Sequence, residues 1–176
     1  MKKLILIALV ISFAAVGWTQ DSGTQKTNQQ DSRYYMAIGS RFFLQQQYKD
    51  AIAPYQIALD MEKQNPKLEH DLWRALVDNL GMAYGITGDL DNAEKTFRYG
   101  LTKDPNYPMF FYNLACTYAE RNDLDKTIMY LKKAFENKAN AIAGEGMPNP
   151  KKDDSFQRFL GNPKFQAAVN SPPVKQ

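Results

Sequence analysis

Apolar residues recur at three- and four-residue spacing through most of the chain, with polar residues between them. This spacing places apolar side chains along one face of an α-helix. No stretch alternates apolar and polar residues as a half-buried strand does, so the pattern predicts an all-α fold. The predicted helices cover residues 34–43, 49–64, 72–84, 91–102, 110–120 and 124–137.

Turn-forming residues separate the helices. Gly88 follows the third helix, and Pro105 and Pro108 end the fourth, because proline disfavours helix in the residue before it. Two turns carry paired carboxylates. A calcium loop would need further alternating oxygen ligands, a glycine and a distant glutamate, so these pairs are interpreted as turn and helix-start residues. They are Asp89 with Asp91 and Asp123 with Asp125.

The helices follow one another as a repeat. Gly81 and Ala115 lie 34 residues apart, and so do Ala93 and Thr127. The step from Gly39 to Gly81 is 42 residues, which is 34 plus an insertion of eight at about residues 62–70. A repeat of this length indicates helical hairpins that stack side by side. Small residues at these positions predict a close crossing of the two helices within each hairpin.

This 34-residue pattern resembles the tetratricopeptide repeat, a helix–turn–helix unit with a large residue, Leu-Gly, Tyr, Ala, Phe, Ala and Pro at fixed offsets. The resemblance implies a superhelix of three repeats at about 32–65, 74–107 and 108–141. It covers residues 31–141. The second repeat carries the matching residues Val77, Leu80, Gly81, Tyr84, Ala93, Phe97, Gly100 and Pro105.

The chain after the third repeat resembles the short helical tail that often follows such arrays. Residues 142–170 are expected to form a loop and capping helices, with Asp154 or Ser155 as one N-cap and Pro163 at the first position of the next helix. A terminal cap covers the apolar face that the last repeat leaves open. Residues 171–176 are expected to be a disordered end.

The first residues have the pattern of a secretory signal. Lys2 and Lys3 precede an apolar run at 4–16, and Ala15 and Gly17 place small residues at its end, where signal peptidase cleaves. The competing interpretation is an uncleaved anchor, but a membrane span needs roughly 20 apolar residues. We therefore expect residues 1–17 to be a cleaved signal peptide of bacterial type, residues 18–31 a flexible linker, and the periplasm or the exterior the destination, with no membrane span in the mature form.

Composition narrows the classes of function. The net charge of +3 falls to +1 without Lys2 and Lys3, because 20 basic residues then face 19 acidic ones, so nucleic acid is not an expected partner. One cysteine allows no internal disulfide. His70 is interpreted as a surface residue and Cys116 as a small packing residue. No metal, cofactor or catalytic site is predicted, because nothing resembles a ligand cluster or a nucleophile with its base.

The resemblance implies a function on the face formed by the first helices of the repeats, where relatives bind a peptide or protein. Asn79 and Asn113 occupy equivalent positions, and their amides could pair with a peptide backbone. Met36 and Ser40 stand where relatives that clamp a C-terminal carboxylate carry Lys and Asn. The expected groove residues are Arg33, Met36, Ser40, Phe43, Asp78, Asn79, Met82, Ile86, Met109, Tyr112, Asn113, Cys116 and Glu120.

These observations predict a non-catalytic, exported scaffold that binds a protein or peptide partner of unknown identity. Two alternatives stay open. The groove residues could pack on one another or on other segments of the chain. The protein could instead be a homo-oligomer or a structural subunit of an envelope assembly, acting through its convex face, where Tyr99, Met129 and Tyr130 are the apolar candidates.

Overall fold

A computed structural model describes residues 31–170. Six α-helices and a C-terminal α-helix follow in chain order, with 3₁₀ helices at Lys138–Asn140 and Asp154–Phe159. The proposed signal peptide, most of the linker and the proposed disordered end lie outside the described residues. The helices are α1 (Ser32–Leu44), α2 (Tyr48–Gln64), α3 (His70–Ile86), α4 (Leu90–Lys103), α5 (Pro108–Glu120), α6 (Leu124–Glu136) and α7 (Pro163–Asn170).

Each helix packs against its neighbours in sequence, which gives three hairpins, α1–α2, α3–α4 and α5–α6, stacked in a row. The first helices also touch one another, since α3 contacts both α1 and α5. These three helices form a shared surface, which we call the inner face. The all-α fold and the three hairpins predicted from the periodicity are therefore confirmed.

Glycine lies where the two helices of a hairpin cross. A Cβ atom on Gly39 would lie 2.6 Å from Cδ1 of Tyr55, and one on Gly81 would overlap the ring of Phe97. Both rings are buried. The predicted close approach is confirmed, and the reason is specific: an aromatic ring of the second helix occupies the space that a side chain would need.

The turns repeat as faithfully as the helices. Gln46, Gly88 and Asn122 occupy equivalent positions, and all three adopt a positive φ, at 60°, 87° and 60°. Asp89 and Asp123 then cap α4 and α6, because their carboxylates accept hydrogen bonds from backbone amides three residues later. These contacts agree with the interpretation of the acidic pairs as turn and helix-start residues.

The eight-residue insertion lengthens helices rather than forming a long loop. α3 begins at His70, about one turn before the expected start of the second repeat. A buried carboxylate organises the short loop that remains: Glu62 accepts hydrogen bonds from the amides of Lys67 at 2.9 Å and Leu68 at 3.0 Å, and from the Ser32 hydroxyl. Sequence reasoning did not identify this role of Glu62.

Charged and aromatic side chains join the second and third hairpins on their outer side. Glu94 accepts hydrogen bonds from Tyr118 at 2.6 Å, Arg98 at 2.7 Å and Arg121. Although burial alone raises it, these bonds hold the pKa of Glu94 at about 2. Tyr130 stacks on Tyr118 at 5.4 Å and is only 6% exposed, which corrects its expected place on an open convex face.

The C-terminal segment folds back onto the third hairpin. The second 3₁₀ helix, Asp154–Phe159, packs against α5, and α7 packs against α6. Its core is the buried aromatic cluster of Phe156, Phe159 and Phe165. The N-cap of the 3₁₀ helix is Asp153, not Asp154 or Ser155 as the sequence predicted, because the Asp153 carboxylate accepts a hydrogen bond from the Ser155 amide at 3.0 Å.

Candidate functional site

The inner face carries the side chains predicted to form a groove, and their exposure divides them into two groups. Three are buried: Asp78, Tyr112 and Asn113. The others are exposed or half-buried, and they are Arg33, Met36, Ser40, Phe43, Asn79, Met82, Ile86, Met109, Cys116 and Glu120. Only the second group can touch a ligand while the C-terminal segment keeps its place.

A cavity of about 610 Å³ opens on the inner face between α3 and α5. Five of the predicted groove residues line it: Met82, Ile86, Asn113, Cys116 and Glu120. Sequence reasoning did not assign the remaining lining to the groove. Those residues are Gly81, Gly85, Gly88, Leu90, Phe97, Thr117, Asp153 and Ser155.

The C-terminal segment forms one wall of this site. The Tyr112 hydroxyl donates a hydrogen bond to Asp153 at 2.9 Å, and the Tyr107 hydroxyl donates to Glu145 at 3.0 Å. Arg158 reaches the Glu120 carboxylate at 3.1 Å. Part of the predicted groove is therefore covered by the protein's own chain. The acidic residues at 145, 153 and 154 and the aromatic residues at 156 and 159 were a possible signal, but they have no fixed spacing.

Beneath this wall lies a buried polar pair. The Asn113 amide donates a hydrogen bond to Asp78 at 2.6 Å, and both side chains are 8% exposed. Burial raises the pKa of Asp78 to about 7; the bond from Asn113 opposes the rise, and the nearby Glu145 charge adds to it. The Asn113 amide is thus engaged inside the protein rather than offered to a peptide backbone.

The first hairpin contributes a second set of internal contacts. The Tyr55 hydroxyl donates to Ser40 at 3.2 Å and also interacts with the Asn79 amide. Arg33 pairs with Glu69 at 3.4 Å. Phe43 packs edge-on against Tyr48 at 5.1 Å. These contacts fix the side chains of the inner face before any ligand arrives.

The two candidate reactive side chains, Cys116 and His70, lie in different surroundings. Burial raises the pKa of the Cys116 thiol well above its ordinary value, and the Asp153 charge raises it further, so the thiol is neutral near pH 7. His70 is exposed, stacks on Trp73 and lies 3.2 Å from Asp104. Across residues 31–170, no group of three His, Cys, Asp or Glu side chains is placed to hold a metal ion. The same part of the chain contains no helix with the length and apolar character to span a membrane.

Comparison with known proteins relates part of the chain to a repeat family. A family model described as the tetratricopeptide repeat matches residues 77–107 and 110–140. These ranges cover most of the second and third hairpins. No curated protein is significantly similar to the chain.

Proposed function

We propose that this chain, whose second and third hairpins match the tetratricopeptide-repeat model, is a non-catalytic adaptor that holds a peptide segment of a protein partner on its inner face. Repeats of this kind support a protein-interaction scaffold in general. The observation that carries the finer proposal is the cavity of about 610 Å³ between α3 and α5. Its volume lies in the range of pockets that enclose a ligand, roughly 300–1,000 Å³.

The mechanism is a preformed surface with a few adaptable anchors. Met82 and Ile86 give the cavity an apolar lining, and Ile86 is 56% exposed without a ligand. A methionine can adjust its shape to different apolar side chains. The surrounding side chains are already held by internal hydrogen bonds, so little ordering accompanies binding.

We further propose that the protein works outside the cytoplasm, with the periplasm as the leading compartment. The support is the charged start and apolar run of residues 1–17. Expression of the full gene with a C-terminal tag tests this through the intact mass of the protein in the periplasmic fraction. A mass that lacks about 17 residues is expected, whereas a full-length mass in the membrane fraction would favour an uncleaved anchor.

Site-specific photo-crosslinking tests the use of the inner face. A photoreactive residue at Ile86 is expected to capture a partner in the native host. The matched control is Met129, an apolar residue of similar size that is 41% exposed on α6, a second helix. Capture at Ile86 and not at Met129 supports the adaptor, and capture at Met129 alone refutes it.

Assembly through the outer helices is the second candidate, supported by the exposed apolar residues Ile57 and Met129, at 44% and 41% exposure. Burial of Tyr130 reduces this surface. Sedimentation velocity over a hundredfold range of concentration separates the two candidates. A rise in mass that Met129→Glu abolishes would support assembly, while a constant monomer mass would remove the homo-oligomer.

A further inference from the structure

The cavity between α3 and α5 has an apolar floor. Met82 and Ile86 come from α3, while Leu90 and Phe97 come from the beginning and middle of α4. Gly85 also lines the cavity, and it has no side chain to fill the space. A floor of this kind favours a large aliphatic or aromatic side chain over a polar one, because burying the apolar surface of Ile86 removes it from water.

The rim of the cavity is acidic. Asp153 and Glu120 both line it, and its lining contains no lysine or arginine. The Glu120 carboxylate forms an ion pair with the Arg158 guanidinium. Asp153 has no such partner within the described residues: its carboxylate accepts hydrogen bonds from the neutral groups Tyr112 Oη, Ser155 N and Cys116 Sγ. Asp153 therefore presents a negative charge to the cavity without a direct ion pair, although Lys151 and Lys152 precede it in the sequence.

The neighbouring groups respond to that charge. The pKa values of Tyr112 and Cys116 are raised, first by burial and then in part by the Asp153 carboxylate. The electrostatic potential at this edge is thus negative, and the apolar surroundings reduce its screening by water. A positive group placed here gains energy, while a second carboxylate is repelled.

We propose that this cavity binds a large apolar side chain of a partner peptide that carries a lysine or arginine within two positions of it. The inference rests on the proposed peptide-binding function and specifies its ligand. The apolar side chain enters between Met82, Ile86 and Leu90. The basic side chain reaches Asp153 at the rim and forms a charge-assisted hydrogen bond.

Selection from a library tests the ligand class without a known partner. Random 12-residue peptides displayed on phage are selected against the immobilised full protein, and the enriched peptides are synthesised and measured by fluorescence anisotropy. We expect them to combine a large apolar residue with an adjacent lysine or arginine. Ile86→Asp should abolish their binding, because it places a charge in the apolar floor at an exposed position that the fold does not need.

Two double variants then isolate the role of the rim. In Asp153→Asn with Glu120→Gln both side chains lose their charge and keep one oxygen as a hydrogen-bond acceptor, while the other oxygen becomes an amide NH2 that donates. The control, Asp125→Asn with Glu136→Gln, removes the same charge from exposed positions on α6. We expect the rim variant to weaken binding of the selected peptides about tenfold, as for two partly exposed ion pairs. The control should leave their affinity unchanged.

The outcomes distinguish a failure of the basic-peptide inference from a failure of the proposed adaptor function. Enrichment of neutral or acidic peptides that still lose binding in Ile86→Asp would overturn the basic-peptide inference and leave the adaptor standing. Basic peptides whose affinity is the same in both double variants would overturn it too. If no peptide is enriched, or if Ile86→Asp binds every selected peptide normally, the proposed function itself fails and this inference fails with it.

Discussion

Two glycines one helical turn apart on α3 allow a matched test of the packing argument. A Cβ atom on Gly81 would lie 2.5 Å from Cζ and 2.9 Å from Cδ1 of Phe97. A Cβ atom on Gly85 would meet only the Cβ of Ala93, at 3.8 Å, which is an ordinary contact. Replacing either glycine by alanine therefore favours the helix, less at Gly85 because it lies in the last turn of α3, and the steric consequences differ.

The expected magnitudes follow from these distances. Alanine in place of glycine in a helix interior stabilises by about 1 kcal/mol, so Gly85→Ala should raise the free energy of unfolding by up to that amount. At Gly81 the buried Phe97 ring must move by roughly 1 Å to restore a normal carbon–carbon contact of about 3.5 Å. Overpacking of this kind costs about 1–3 kcal/mol. Gly81→Ala should therefore be less stable than Gly85→Ala by about 1–3 kcal/mol, and Gly81→Leu should be less stable still.

Urea unfolding followed by far-UV circular dichroism measures the difference. A double-mutant cycle with Phe97→Leu identifies its cause, since a shorter side chain at 97 should remove most of the penalty of Gly81→Ala. Equal stabilities for the two alanine variants would refute the close-packing explanation. A penalty that persists unchanged in the Phe97→Leu background would show that another contact is responsible.

Three further predictions address charge and the C-terminal segment. Because the pKa of Asp78 is about 7 in the folded protein against 3.8 normally, its stabilising neutral form is lost as pH rises toward 7. The free energy of unfolding of Asp78→Asn, measured by thermal denaturation, should therefore exceed that of the wild type by an amount that grows between pH 4 and 7, to at most about 4 kcal/mol. A difference that stays constant with pH would contradict this. The pKa of Glu94 is about 2 against 4.5 normally, so its ionised form stabilises the folded state fully above pH 4.5. This stabilisation is lost progressively as the pH falls toward 2. Glu94→Gln should cost about 1 kcal/mol in urea unfolding at pH 7 and less at pH 3, and an equal loss at both would refute the ionic explanation. Phe156→Ala leaves a cavity between Tyr112 and Phe165, which should cost about 3–5 kcal/mol of stability. This loss should release the C-terminal segment and speed its amide hydrogen exchange, while the amides of α1–α4 stay protected. Unchanged exchange would show that other contacts hold the segment.

Contacts that recur with the 34-residue period could be predicted from the sequence. The six helices and the hairpin turns depend on short-range periodicity and on local capping by Asp89 and Asp123, which the residue pattern states directly. The small residues Gly39 and Gly81 occupy equivalent positions in successive repeats, so the sequence indicated a close helix contact at each. It did not identify the aromatic partner. Local and periodic forces therefore account for the fold class, the repeat family and the location of the inner face.

Only the tertiary structure decided which inner-face residues stay accessible. Tyr112 meets Asp153 across 41 positions and Asp78 meets Asn113 across 35, in contacts that have no counterpart in the other hairpins. Such contacts leave no periodic signal: the first depends on how the C-terminal segment folds over α5, and the second joins α3 to α5 through an aspartate that the other repeats lack at that position. The same folding brings Asp153 to the rim of the cavity. The repeated sequence thus determined the scaffold and most of the cavity lining, while one non-repeating segment closed part of the candidate site and added the Asp153 charge to it.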